Sequence, residues 1–292
     1  MKTTSELLKE VRKIEIKARG LSNDIFAGEY RTAFKGRGMT FAEVRDYQIG
    51  DDIRNIDWNV TARFNRPFIK IFEEERELTV MLIVDVSASG DFGTYNETKR
   101  EIMAEVAATI AFSAIQNNDK IGMIFFSDKI EKFISPQKGR KHILYLIREL
   151  LSFEPVSKRT DLSNALSYFT NAVKRHCSAF VISDFIAPNF TNDLIIANRK
   201  HDLATIRIYD PREKDIPDVG LIRLSDAESG RDVWVDTSSK EVRDSYNAYW
   251  QQKDAEIRRT FLKAGVDASF ISTTDNYVQA LIRLFHERAL RH

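Results

Sequence analysis

From residue 78 to the C-terminus, short runs of β-branched and aliphatic residues alternate with longer stretches of helical period. This alternation constrains the fold most, because strand–helix–strand units close as right-handed parallel crossovers. Residues 78–86 (LTVMLIVDV) carry no polar side chain between Thr79 and Asp85, the pattern of a strand covered on both faces. A helix is predicted over 97–116, where Ile102, Val106, Ile110 and Ala114 step by four. IGMIFF (121–126) reads as a buried strand and KIEKFI (129–134) as a shorter edge strand. Further strands are expected at AFVIS (179–183), ATIRIYD (204–210) and DASFIS (267–272). Helices are expected over 141–152, 161–175, 194–200, 242–264 and 278–289. The polar stretch 219–236 sets GLIRL and DVWVD about a loop containing AESG, which is hairpin chemistry between two such units. The expected fold is α/β: a doubly wound, mainly parallel, six-stranded sheet whose first strand lies centrally.

The remaining N-terminal part is less regular. Residues 4–17 place Leu7, Leu8, Val11, Ile14 and Ile16 among charges, as a short amphipathic helix would. Residues 21–77 lose that period, and short strands and turns are expected there. Gly50, ahead of two aspartates, suits a tight turn at positive φ. The chain therefore reads as a segment of residues 1–77, packed as an α/β extension on a domain of residues 78–292, with the hairpin inserted at about 211–238.

Composition excludes several classes. Forty-four Lys and Arg against 43 Asp and Glu leave a net charge of +1, so no overall pull toward nucleic acid or anionic lipid exists. One cysteine, Cys177, rules out an internal disulfide framework and a cysteine-cluster metal site. The longest apolar run is far shorter than the roughly 20 residues of a membrane helix, so no transmembrane segment is expected. The expected location is the cytoplasm, at the inner membrane only through partners.

Most catalytic signatures are missing from the sequence. It has no GxxxxGK[ST], no completed GxGxxG, no GxSxG and no HExxH. One constellation stands out: Asp85, Ser87 and Ser89, a DxSxS where the first buried strand ends. Composition alone yields about 0.07 such matches in a chain of this length. Alternate residues of an extended chain share a face, so the three side chains can converge, and the crevice beyond strand ends is where open parallel sheets bind ligands. Thr160 opens a predicted helix, and Asp184 ends the strand AFVIS. A carboxylate and hydroxyls are hard oxygen donors suited to Mg²⁺. The plainer alternatives are a serine-rich cap, an N-cap at Thr160 and a strand-end turn at Asp184.

The five positions Asp85, Ser87, Ser89, Thr160 and Asp184 resemble the metal-ion-dependent adhesion site of von Willebrand factor type A domains, a Rossmann-type fold. That resemblance implies one divalent cation, Mg²⁺ or another such as Mn²⁺ or Ca²⁺, held by all five. Upstream, Gly38-Met-Thr-Phe41, Arg45-Asp-Tyr47, the block Gly50-Asp51-Asp52-Ile53-Arg54-Asn55-Ile56-Asp57-Trp58 and Thr61-Ala-Arg63 are similar to a bacterial family, domain of unknown function 58. Its hallmark is GDD-x-R-x-IDW ahead of a von Willebrand A-like domain. Many members carry N-terminal membrane helices, which this sequence lacks. Genes of the family commonly neighbour MoxR-type AAA+ ATPases. The resemblance therefore implies such an ATPase as partner, together with other von Willebrand A proteins.

Arg45, Asp51, Asp52 and Arg54 read either as a docking surface or as an ion-pair lattice, with Tyr47, Ile56 and Trp58 as packing residues. Residues 129–159 hold eight Lys or Arg and three Asp or Glu, a net of +5, and Lys158 and Arg159 directly precede Thr160. A basic, metal-bearing rim would attract an acidic partner segment; a solvated helix face is the plainer alternative. The leading function is a non-enzymatic, metal-dependent protein-interaction module, an adaptor for the ATPase in complex assembly or maturation. The alternative is a divalent-metal-dependent hydrolase, a phosphatase or nuclease. Against it, the three loops supply no histidine or further carboxylate as base. Nucleic-acid binding through the basic stretch ranks last, for want of interleaved aromatics.

Overall fold

The computed structural model describes residues 4–21, 39–74, 78–94, 97–225, 228 and 230–291. The chain divides into two compact units, one of residues 1–34 and 79–292 and one of residues 35–78. In chain order the first elements are α1 (Thr4–Leu21), β1 (Met39–Asp46), α2 (Trp58–Phe64) and β2 (Phe68–Glu74). They are followed by β3 (Thr79–Asp85), α3 (Lys99–Gln116), β4 (Lys120–Phe126), β5 (Ile130–Gln137), α4 (Arg140–Ser152) and α5 (Leu162–Ala172). The chain closes with β6 (Ser178–Ser183), α6 (Thr191–Lys200), β7 (Asp202–Tyr209), β8 (Leu221–Ser225), β9 (Asp232–Asp236), α7 (Lys240–Ala264), β10 (Asp267–Ser272) and α8 (Tyr277–Arg291).

In the small unit β1 pairs antiparallel with β2, from Met39 opposite Glu74 to Asp46 opposite Phe68. Gly50 takes φ 109°, as a tight turn demands. Asp57 caps α2, its carboxylate accepting from the N–H groups of Asn59 (2.9 Å) and Val60 (3.2 Å). Trp58 corrects the sequence reading. As the first residue of this seven-residue helix it stands 70% exposed and packs no core. Tyr47 and Ile56 are half-buried.

The larger unit is built on one sheet ordered β10-β7-β6-β3-β4-β5. All neighbours run parallel except β4 and β5, which pair antiparallel at the edge. β3 is interior, as its unbroken apolar run requires. On one face Met81, Ile83, Ile124 and Phe126 pack with Leu166 and Phe169 of α5, Leu194 of α6 and Phe261 of α7. On the other lies α3, in which every residue from Ile102 to Ala114 is buried. A helix apolar all round must be covered on its outer side too. α1 supplies that cover, burying Val11, Ile14 and Ala18 as it packs on α3 and α4. Ile16, grouped with that stripe by sequence, points outward instead. Lys17 pairs with Glu105 of α3 and lies over the Tyr277 ring, 5.1 Å from its centroid. β8 and β9 form the expected hairpin. Among the described residues no helix is long and apolar enough to cross a membrane.

His201, at the C-terminal end of α6, is buried against the Phe169 ring, with Nδ1 3.4 Å from the Cys177 sulfur. Burial first, then Lys200 and His176, lower its pKa from 6.5 to about 4. The folded chain therefore favours neutral imidazole. Stability from this group is complete above pH 6.5 and is lost as pH falls toward 4. Urea unfolding at pH 7 and pH 4.5 should show a loss of about 2 kcal/mol that His201→Phe abolishes. An identical acid loss in the variant would assign the effect to other groups.

Candidate functional site

β3 and β6 are parallel neighbours, in register from Val80 opposite Ser178 to Val84 opposite Ile182. Their C-terminal ends therefore deliver Asp85 and Asp184 side by side, and both are almost wholly buried. Past β3 the chain turns through a short 3₁₀ segment, Ala88–Asp91, which brings the Ser87 and Ser89 hydroxyls within 3.1 Å of each other. The Ser89 hydroxyl also reaches Asp184. The third loop is tied in through its backbone. The Ala88 N–H donates to the Lys158 carbonyl at 3.2 Å, and the Asp161 N–H to the Ser127 carbonyl at the end of β4 at 2.9 Å. Thr160 thus lies beside the DxSxS turn. It is not the cap of α5: Asp161 fills that role, accepting from the Asn164 N–H. The Thr160 hydroxyl donates instead to Glu228 of the hairpin loop, at 2.8 Å.

The two aspartates differ in their partners. Asp85 accepts from the Ser87 N–H (2.9 Å) and the Ser183 hydroxyl (2.7 Å), both neutral donors. Burial, reinforced by the charge of Asp184, pushes its carboxyl up to about 6 against those hydrogen bonds. Asp184 has a cation. The Lys99 ammonium, itself fully buried, lies 2.9 Å from its Oδ2 and 2.6 Å from Glu213 Oε1. Burial would raise Asp184, but Lys99, the Ile186 N–H and the Ser89 hydroxyl outweigh it and hold the carboxyl below its usual range. Burial would likewise lower Lys99, and the two carboxylates outweigh it to keep the ammonium charged.

Neighbouring residues fix this geometry. Arg207 of β7 donates its Nε–H to the Asp184 carbonyl at 3.0 Å and pairs with Asp254 at 2.6 Å. Arg100 reaches the carbonyls of Phe153 (3.0 Å), Val86 (3.3 Å) and Ser87 (3.4 Å), stitching the turn to the end of α4. Phe185 adopts φ 58°, uncommon for a bulky residue and strained. Its ring is held edge-on to Phe261 at 4.8 Å and its N–H by the Ser183 hydroxyl, so core packing sets the direction of Asp184.

Among the described residues no group of three or more His, Cys, Asp or Glu is placed to hold a metal ion. The donors here are of another kind: two carboxylates, of which Asp184 meets Lys99 while Asp85 meets neutral donors among the described residues, and hydroxyls gathered at a strand end. That set fits a hard divalent ion, which would offset the charge that burial makes costly on Asp85. Sequence reading missed Lys99, Ser183, Glu213, Arg207 and Glu228. Lys99 is followed by Arg100 and Glu101 in the first turn of α3, so nothing local set it apart from them. Lys158 and Arg159 are exposed. In the small unit Arg45 grips Asp51 through two bonds of 2.8 and 2.7 Å, and Arg54 pairs with Asp52 at 2.7 Å.

Comparison with known proteins places these features in a family. The chain is 30% identical over 288 residues to "Uncharacterized protein Rv1480" of Mycobacterium tuberculosis, covering 97% of this chain and 90% of that one. It is 32% identical over 110 residues to "Uncharacterized protein YeaD" of Bacillus subtilis, covering 37% of this chain and 25% of that one. Among solved structures it is similar to BatB from Bacteroides thetaiotaomicron, at 15% identity and TM-score 0.46 over 73% of this chain and 99% of that one. The von Willebrand A domain of SpRpn10 gives 11% identity and TM-score 0.35 over 46% of this chain and 76% of that one. The family model described as "Protein of unknown function DUF58" matches residues 43–256, and the chain belongs to that family.

Proposed function

We propose that the protein is a metal-dependent protein-interaction module in which Asp85, Ser87, Ser89, Thr160 and Asp184 hold one divalent cation, Mg²⁺ foremost. The observation that carries this reading is the pair of buried carboxylates at adjacent strand ends, with Asp85 bonded, among the described residues, to the neutral donors of Ser87 and Ser183. A hard cation bound there supplies an open coordination position, and this chain's residues fix where that position faces. An acidic side chain of a partner completes it, drawn by the exposed Lys158 and Arg159 beside the rim. The partner that the family resemblance implies is a MoxR-type AAA+ ATPase, with the protein as its adaptor in complex assembly. The Arg45–Asp51 and Arg54–Asp52 pairs favour a local lattice for that block over a free docking surface.

With so few carboxylate ligands the affinity should be modest, Kd about 10⁻⁴–10⁻³ M. At tenfold Kd, Mg²⁺ should raise the unfolding free energy of the wild type by about 1.4 kcal/mol. Asp85→Ala should fold but lose that response. It should also lose capture of a MoxR-type ATPase in Mg²⁺, whereas Lys253→Ala, on the exposed face of α7, should keep both. Equal capture by Asp85→Ala in excess chelator would reject the metal bridge and move docking to the Arg45–Asp57 block. Phosphoester turnover in Mg²⁺ or Mn²⁺ that disappears in Asp85→Ala would make the protein a hydrolase instead.

A further inference from the structure

Lys99 is the first residue of α3, set by the Thr98 cap, whose side chain and Glu101 form a reciprocal capping box. Its ammonium is buried between Asp184 and Glu213, carboxylates 85 and 114 residues away in sequence. A lysine is almost never fully buried unless paired, and here it is paired with one of the five proposed metal ligands. Both oxygens of Asp184 are engaged, Oδ2 by Lys99 and Oδ1 by the Ile186 N–H at 3.1 Å. An Mg²⁺ ion binding Asp184 about 2.1 Å from an oxygen would sit close beside the ammonium.

We infer, resting on the metal reading above, that Lys99 is the site's resident cation, and that a divalent ion enters by taking Asp184 from it while Glu213 retains the ammonium. Glu213 is suited to this, since its bond to Lys99 is the shorter of the two, 2.6 against 2.9 Å. Charge agrees in sign. Asp85, Asp184 and Glu213 outnumber Lys99, and Glu228 on the Thr160 hydroxyl adds a further carboxylate, so the site stays negative toward a divalent ion with Lys99 in place. The exchange makes Lys99 a competitor. Only molecules whose ammonium has left Asp184 accept the metal, and apparent affinity falls by the fraction that has not.

The test is calorimetric titration of the full chain with Mg²⁺ and Mn²⁺. Lys99→Met should bind about tenfold more tightly than wild type, since the competitor is gone. Lys99→Gln, which keeps length and a hydrogen-bond donor, should do the same and covers the case in which Lys99→Met folds poorly. Glu213→Gln should bind several-fold more weakly, because the ammonium then has only Asp184 to hold. In crystals soaked in Mn²⁺, Lys99 Nζ should stand beyond about 3.5 Å from Asp184 and within bonding distance of Glu213. Mn²⁺ bound at Asp85 with the Lys99–Asp184 contact intact overturns the exchange. So do affinities unmoved by the Lys99 and Glu213 variants while Asp85→Ala abolishes binding. If wild type and both Lys99 variants bind no metal, or Asp85→Ala binds like wild type, the metal reading itself fails.

Discussion

Changing Asp202 and Asp267 together to asparagine should cost about 3–5 kcal/mol of unfolding free energy, whereas Arg288→Met alone should cost about 2 kcal/mol or less. The asymmetry follows from where the charges lie. The Arg288 side chain is fully buried, while Asp202 and Asp267 retain 24% and 13% exposure. Its guanidinium bonds Asp202 at the start of β7, Asp267 at the start of β10 (2.8 Å) and the Leu203 carbonyl (3.3 Å). It thereby pins α8 to two strands at once. Removing the acids strands a charge in the core, whereas removing the arginine leaves two carboxylates that can rehydrate. Adding Arg288→Met to the double variant should recover part of the loss. Urea titrations with unchanged m-values would measure all four proteins. A double variant no worse than Arg288→Met would discard the buried-charge account.

Gly122→Ala should destabilise by about 2–3 kcal/mol through overpacking. Gly122 lies in β4 where the pairing with β5 shifts register between Ile121 and Met123. A Cβ there would come within 2.8 Å of the Ile134 carbonyl oxygen, 2.8 Å of the Met81 sulfur and 2.9 Å of the Pro136 nitrogen. Methionine can swing away, but two of the three obstacles are backbone of the edge strand. Met81→Ala combined with Gly122→Ala should therefore restore little, and thermal melts of the three variants would show it. Full rescue by Met81→Ala would mean that β5 yields freely.

The sheet was readable because its interior strands are apolar without interruption. β3, β4 and β6 fell where their runs predicted, and β5, which mixes Glu131 and Lys132 with Phe133, fell at the edge. DxSxS, Thr160 and Asp184 were readable as short polar signals at strand or helix ends. The partners that decide their electrostatics were not. Lys99 and Glu213 meet only after a parallel crossover joins positions more than a hundred residues apart, and neither carries a local mark of burial. Arg207 and Arg288 are residue types that composition assigns to the surface, yet they are among the largest fully buried side chains. Trp58 errs the opposite way, since an aromatic at a helix start need not find a core.

The placement of α1 has a consequence for chain entropy. α1 belongs to the larger unit, but the whole small unit separates it in sequence from β3. In the unfolded chain, closing the roughly sixty residues between α1 and β3 would oppose the docking of α1 more than closing about twenty, by about 1 kcal/mol. The β1–β2 ladder removes that difference, because Met39 and Glu74 stand opposite each other and short-circuit the intervening chain. The small unit thus acts at a distance, through the reach of the polymer. Melting its two strands would loosen the helix that roofs α3 even if every contact of α1 remained available.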